Sequence, residues 1–424
     1  MDKNVMSTNT PWAILLCRFK DDVTQLTSFR DAARRFPFDQ FANSARAILA
    51  HQFDMQPPIS LKELIRNISE PSQVLQNVVT LFTAPDIENV VTYWQDISYG
   101  QLDLTHSEVF GWFRLDKNKE DYVDQFSRKT QAEARQDLVD WAKKAATDSG
   151  VDLGRFYGVV VYMNVATDLW GNSRQVVCDI ASNLCQILQE VGHGYDLDHS
   201  RSVANPTDYE NPFCIMSGLT FGGTNPTFQD RFGQSGPGLC SPYVFKAEWL
   251  SESRIARVAT NGRYPASTKL ILSPLVERNP KHPQVAMFGL NAPQEVTYFV
   301  EYRSGGWDRG LRQNAVVIHQ LRPDNFAYYA GSIGTSVGFA NGVTLLPGKA
   351  YVDSQFDLSV EVLSIFDDDT IKIRIAPAAA VQTLSVRTIT RTKLGINTGF
   401  SVRNQVLQNR AITLRDRLVE LLSQ

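Results

Sequence analysis

Residues 189–200 read Gln189-Glu190-Val191-Gly192-His193-Gly194-Tyr195-Asp196-Leu197-Asp198-His199-Ser200, and this stretch decides the fold. Just upstream, Ile180, Leu184, Ile187, Leu188 and Val191 recur at helical spacing. The spacing predicts one helix over Ser182–His193, with Gly194 as its stop. Gln189 and His193, four residues apart, then share a face, Glu190 precedes His193 by three, and His199 follows beyond a turn. A zinc peptidase needs two ligands one helical turn apart, a glutamate between them as general base, and a third ligand brought round by a turn. His193 and His199 fit the second and third ligand places, Glu190 fits the base, and Gln189 stands in the first place. Met216, in Cys214-Ile215-Met216-Ser217, follows where a methionine turn would floor such a site as buried packing, without coordinating anything.

Working outward, Trp12–Phe19 reads as a buried strand and Thr27–His51 as a helical mixture broken at Phe36-Pro37. A helix is expected over Asp86–Ser98, and alternating strand pattern over Gly100–Thr105 and on through Trp112. A long amphipathic helix is expected over Thr130–Ser149, with Ala132, Leu138, Trp141 and Ala145 on its buried face. Gly158–Met163 carries the strongest β signal. From Tyr264 to Ile375 short β-type runs alternate with turn clusters such as Ser304-Gly305-Gly306, the pattern of a β-sandwich. The triple aspartate Asp367-Asp368-Asp369 lacks calcium-loop spacing and reads as a solvated turn. Residues 382–424 are basic and end on Leu414, Leu418, Leu421 and Leu422 at helical spacing. They read as a docking or dimer contact that mediates assembly rather than as a membrane anchor.

The segment around Glu190 resembles the metzincin zinc-protease motif HExxHxxGxxH, most closely the variant HExGHGLGLDHS. Trp94–Leu104, Val109–Trp112 and Tyr302–Gly310 resemble segments of the immune-inhibitor-A-like metalloproteases, so the likeness covers roughly residues 10 to 375. It implies an α/β metzincin-like metalloprotease domain (1–262), then an all-β sandwich domain (263–378) and a helical tail (379–424). It also implies a Zn²⁺ ion that polarises a peptide carbonyl and acidifies a water whose proton Glu190 takes. Two departures stand out. Asp196 replaces the glycine of the turn, and aspartate tolerates positive φ better than most side chains. Gln189 replaces the first ligand histidine, and a neutral amide is a poorer ligand than imidazole. Zinc is therefore expected to bind poorly, and two functional readings remain. One is a metalloendopeptidase scaffold with a substituted metal site (His193, His199 and Gln189 or Asp196) and little or no activity. The other is a pseudoprotease that binds a protein or peptide partner through its cleft, sandwich or basic tail. His106 is a substitute ligand or a surface histidine; His51, His282 and His319 have no ligand-spaced neighbours, and no nucleophile motif surrounds Ser200 or Cys185.

Composition agrees with a folded, multi-part chain. Of 424 residues 43% are apolar, and Lys+Arg 42 against Asp+Glu 45 leaves a formal charge of -3, without the basic excess of a nucleic-acid binder. No uncharged apolar run is long enough for a membrane span. No leader is read in the first residues, so the expectation is a cytosolic protein or one whose leader has been removed. The five cysteines include no CxxC pair; they read as buried free thiols, or alternatively as a Cys214–Cys240 or Cys178–Cys214 disulfide in a secreted protein.

Overall fold

The structure, a computed structural model, describes residues 8–22, 78–84, 87–125, 129–217, 227–291, 295–311, 313–334 and 345–378. The expected helix over 27–51, His51 and the basic tail lie outside the described residues. The chain is mixed α/β with several sheets and few helices. No helix among the described residues is long and apolar enough to cross a membrane.

The first layer is a five-stranded sheet of β1 (Trp12–Arg18), β2 (Glu108–Arg114), β3 (Gly158–Met163), β4 (Trp170–Asn172) and β5 (Gln175–Asp179), in the order β2-β1-β3-β5-β4. All neighbours pair in parallel except β4, an antiparallel edge strand. Parallel strands are covered on both faces, which is why β1 and β3 read as unbroken apolar runs. Ala13, Leu15, Val159 and Val161 face one core; Ile14, Leu16, Val160 and Tyr162 face another.

Five helices matter to the site: α1 (Val90–Ile97), α2 (Lys119–Gln125), α3 (Gln131–Asp148), α4 (Leu184–Gly194) and α5 (Ser241–Lys246). α3 begins at a reciprocal capping box between Thr130 and Glu133 and covers the first core. Its buried residues are Ala134, Leu138, Val139, Ala142 and Ala146, so the stripe is rotated from the expected one and Ala132 is exposed. Three alanines on that row let the helix lie close to the sheet. α4 lies against the other core with α1. The expected strand through His106 is interrupted, because β2 begins at Glu108 and His106 sits in an exposed turn.

The β-rich half is a sandwich. The first sheet comprises β6 (Arg201–Ser202), β7 (Ile255–Arg257), β9 (Val285–Leu290), β10 (Val296–Arg303), β11 (Ala315–Leu321) and β12 (Ala327–Gly334), in the order β7-β9-β10-β11-β12-β6. The second comprises β8 (Thr268–Leu272), β13 (Ala350–Asp353), β14 (Leu358–Ile365) and β15 (Ile371–Pro377), in the order β8-β15-β14-β13. Both edges of the six-stranded sheet, β6 and β7, come from before residue 262. Side chains of β10 alternate: Tyr298, Val300 and Tyr302 face the four-stranded sheet, whereas Phe299 joins the core around α4.

On that second face Glu301 and Arg303 are fully buried. All three guanidinium nitrogens of Arg303 are bonded: Nε donates to Glu301 Oε1 (2.7 Å), Nη1 to both oxygens of Asp308 (3.0 and 3.1 Å), and Nη2 to the carbonyls of Phe213 (3.0 Å) and Leu239 (2.9 Å). Glu301 also accepts from Ser241 N, and Asp308 from Gly238 N. His319, without ligand-spaced neighbours in sequence, has its Nδ1 3.3 Å from Glu301 in space. All five cysteines are buried free thiols. Cys178 lies in β5 and Cys185 in α4.

Candidate functional site

The C-terminal end of α4 carries the site. Asn183 caps the helix, accepting from Gln186 N, and Gln186 returns the bond to Asn183 N. At the other end the helix runs one residue past His193. Asp196 N donates to His193 O (3.0 Å) and Leu197 N to Gly192 O (3.1 Å), the paired bonds of a Schellman stop. The left-handed residue of that stop is Asp196, at φ 61°, and Ser173 Oγ donates to its carboxylate (2.8 Å). Gly194 is small for a different reason: a Cβ there would stand 2.5 Å from the Trp12 ring. Gly192 is held to a hydrogen by Met216, whose sulfur would lie closer than 3.0 Å to an added Cβ. Met216 is thus fully buried against the turn of α4 that carries His193, and its carbonyl accepts from Ser200 N (3.0 Å).

The stop turns the chain so that Leu197 O meets His193 Nδ1 at 2.7 Å and His199 returns to the helix end. His193 Nε2 and His199 Nε2 are 2.9 Å apart, with ring centroids 4.5 Å apart. His199 Nδ1 faces Asp208 Oδ2 at 3.2 Å. Leu197 O and the Asp208 carboxylate only accept hydrogen bonds and so favour a proton on each Nδ1, whereas the 2.9 Å contact between the two Nε2 atoms is a hydrogen bond when one ring carries its proton there. Burial, then the neighbouring His199, lowers the pKa of His193 to about 4. Burial also lowers that of His199, against the opposing pull of Asp208. Burial works against the Asp208 carboxylate, but hydrogen bonds from Arg201 and His199 outweigh it and hold its pKa below the usual range.

Glu190, three residues before His193 on α4, is buried, and burial pushes its pKa up to about 8 despite the opposing charge of Arg135. Arg135 is itself gripped by Asp168, with Nε and Nη2 donating at 2.6 and 2.9 Å. Edge strand β4 runs directly over α4: a Cβ on Gly171 would stand closer than 3.0 Å to Glu190 O and 2.8 Å from His193 Cβ. Tyr209 lies 4.2 Å from the His199 ring, and burial, with the nearby Glu190 charge, raises its phenol to about 12.

Of the residues singled out in sequence, His193 and His199 meet, Met216 packs against Gly192 of the same helix, Glu190 is buried with Arg135 and Asp168 as its charged neighbours, and Gln189 is buried at 5% exposure one turn before His193. Asp196 and His106 do not join them: Asp196 is exposed and bonded to Ser173, and His106 sits in the exposed turn before β2. Among the described residues no group of three His, Cys, Asp or Glu side chains could hold a metal ion. A catalytic zinc site takes three protein ligands, and two imidazoles with a neutral amide do not fit that requirement. Asp208, Tyr209, Arg201, Arg135 and Asp168 carried no signal in the sequence, since none stands at a ligand spacing from the histidines. No family model, curated protein or solved structure matches the chain.

Proposed function

We propose that the chain is a metzincin-type metalloendopeptidase scaffold with an incomplete metal site, which retains little zinc and cleaves peptides weakly or not at all. The observation that carries this reading is the meeting of two imidazoles, each with its Nδ1 bonded away and its Nε2 turned inward, at the end of a helix bearing Glu190. Two Nε2 atoms 2.9 Å apart form an N–H···N hydrogen bond in the metal-free chain, and the same convergence suits a pair of ligands to one cation. The shortfall supports the second half of the reading. With Gln189 in the first ligand place, only two strong donors remain. Glu190 adds to it. A general base must be ionised, and a carboxyl whose pKa stands near 8 is mostly protonated at pH 7. In an intact site, zinc would supply Lewis acidity and favour the carboxylate.

The second reading, a pseudoprotease that binds a protein or peptide, rests on the same Gln189. Elemental analysis of the purified chain with a casein-cleavage assay tests the incomplete-site reading. Zinc well below one equivalent and no chelator-sensitive cleavage are expected. One zinc per chain with chelator-sensitive digestion would refute the incomplete-site reading.

A further inference from the structure

The turn that carries Met216 runs beside the start of α5. Ile215 N donates to Gly238 O (3.1 Å), and the carbonyls of Phe213 and Leu239 both accept from Arg303 Nη2, at 3.0 and 2.9 Å. Cys214 and Cys240 are the residues that follow those two carbonyls, so one nitrogen from β10 holds their backbones side by side. Cys240 is the N-cap of α5, yet its side chain makes no capping bond and meets Cys214 instead. Both the thiol and the backbone N–H of Cys240 donate to the Cys214 sulfur. Burial opposes a thiolate at Cys214, but these bonds, with others from Ser200 and Met216 N, outweigh it and hold that thiol below its ordinary value. Both side chains are fully buried. The other three cysteines are placed differently: Cys185 Sγ donates to Gly236 O (3.1 Å), and Cys17 and Cys178 lie within the five-stranded sheet.

A disulfide forms only where two backbones run close and the side chains point at one another. Both conditions hold here and the two thiols are free. We propose that Cys214 and Cys240 are a disulfide-forming pair, which a small-molecule disulfide oxidant closes into a bond tying the Met216 turn to α5. The Cys214 thiolate attacks one sulfur of the oxidant, breaking its S–S bond and releasing one thiol. The Cys240 sulfur then attacks Cys214 and displaces the second thiol. Two protein thiols are oxidised to one disulfide, the oxidant is reduced to two thiols, and the two protein S–H protons pass to them. Burial sets the timing. Neither sulfur is accessible in the folded chain, so exchange takes place during folding, before the core closes, and the closed core then shields the bond from reductant.

The test is refolding of the full, reduced chain from urea into a buffer of reduced and oxidised glutathione, then acid quenching, alkylation and peptide mapping by mass spectrometry. The expected product carries a cross-linked peptide joining Cys214 to Cys240 and leaves Cys17, Cys178 and Cys185 alkylated. It should melt about 5–10 °C above the same chain refolded with reductant, because the bond restricts the unfolded chain. Cys240→Ala should lose both the cross-link and the melting difference. A refolded chain with Cys214 and Cys240 both alkylated, or cross-linked elsewhere, overturns the proposal, as does a bridged chain that melts no higher than the reduced one. If the chain does not refold, the native protein is opened in urea short of its unfolding midpoint in the same glutathione buffer and mapped in the same way. An absent bridge there overturns the proposal too.

Discussion

The approach of β4 to α4 can be tested with one methyl group. In Gly171→Ala the new Cβ meets backbone and a helix-anchored Cβ, neither of which can swing aside. His193 Cβ and the Glu190 carbonyl carbon would each be 2.8 Å away, where ordinary contact begins at 3.4 Å. The strand must therefore retreat by at least about 0.6 Å, the difference between those distances, and overpacking of this kind costs roughly 1–3 kcal/mol. β4 is only three residues long and pairs with β5 alone, through Trp170, Gly171 and Asn172. A retreat also weakens that ladder, at about 1 kcal/mol per hydrogen bond lost. We expect destabilisation of about 3 kcal/mol, read as a fall in Tm on the order of 5–10 °C by scanning calorimetry. Gly289→Ala in β9 is the internal control, because an added Cβ there meets nothing within 4 Å. Its effect should be neutral or stabilising by about 0.5 kcal/mol, through the loss of chain entropy in the unfolded state. If the two variants melt within a degree or two of each other, β4 does not lie against the helix as described.

Gln189→His supplies the missing imidazole on an unchanged helix face; zinc affinity should rise at least about tenfold by competition with a chromogenic chelator, and Glu190→Ala in that background should abolish any recovered cleavage. Removing Arg303 leaves two buried carboxylates without their cation. Arg303→Met should therefore cost about 3–5 kcal/mol in urea unfolding, and a loss under about 1 kcal/mol would refute the role given to the cluster. Burial raises the Asp179 carboxyl to about 6, above its unfolded value, so the folded state holds a proton that the unfolded chain releases. The penalty for ionising Asp179 is in force at pH 7 and is relieved as pH falls through 6 toward 4. The stability difference between the unsubstituted chain and Asp179→Asn should accordingly shift in favour of the former over that window, by up to roughly 3 kcal/mol; a flat difference curve would contradict it.

What the sequence made legible was whatever depends on local pattern. β1 and β3 are long apolar runs, α3 shows in the amphipathic spacing over Thr130–Ser149, and the i, i+4 relation of Gln189 and His193 needs only helical geometry. The turn after α4 was half legible. Asp196 does take the left-handed conformation, but Gly194, which looked like the stop, is a packing requirement of Trp12. Long-range pairings left no trace. Glu301 and Arg303 alternate with aromatic residues as solvated charges of an edge strand would, yet both are fully buried because the sheet is covered on its second face. β4 escapes notice because three residues containing a glycine carry no periodicity, and Asp208 because a loop brings it back.

The two edges of the six-stranded sheet impose an order on synthesis. β6 ends at Ser202, but its partner β12 ends at Gly334, so more than a hundred residues must be translated before they can pair. At about 5–20 residues per second that delay is roughly 6–25 s. Throughout it, the segment holding His199, Arg201 and Asp208 has emerged from the ribosome without the strand that pins it, and Phe213 and Leu239 await Arg303. The N-terminal half is therefore chaperone-dependent or merely loosely folded until the sandwich arrives. A nascent chain stalled before residue 300 should be cut readily by protease between 200 and 217, and one released after residue 378 should resist.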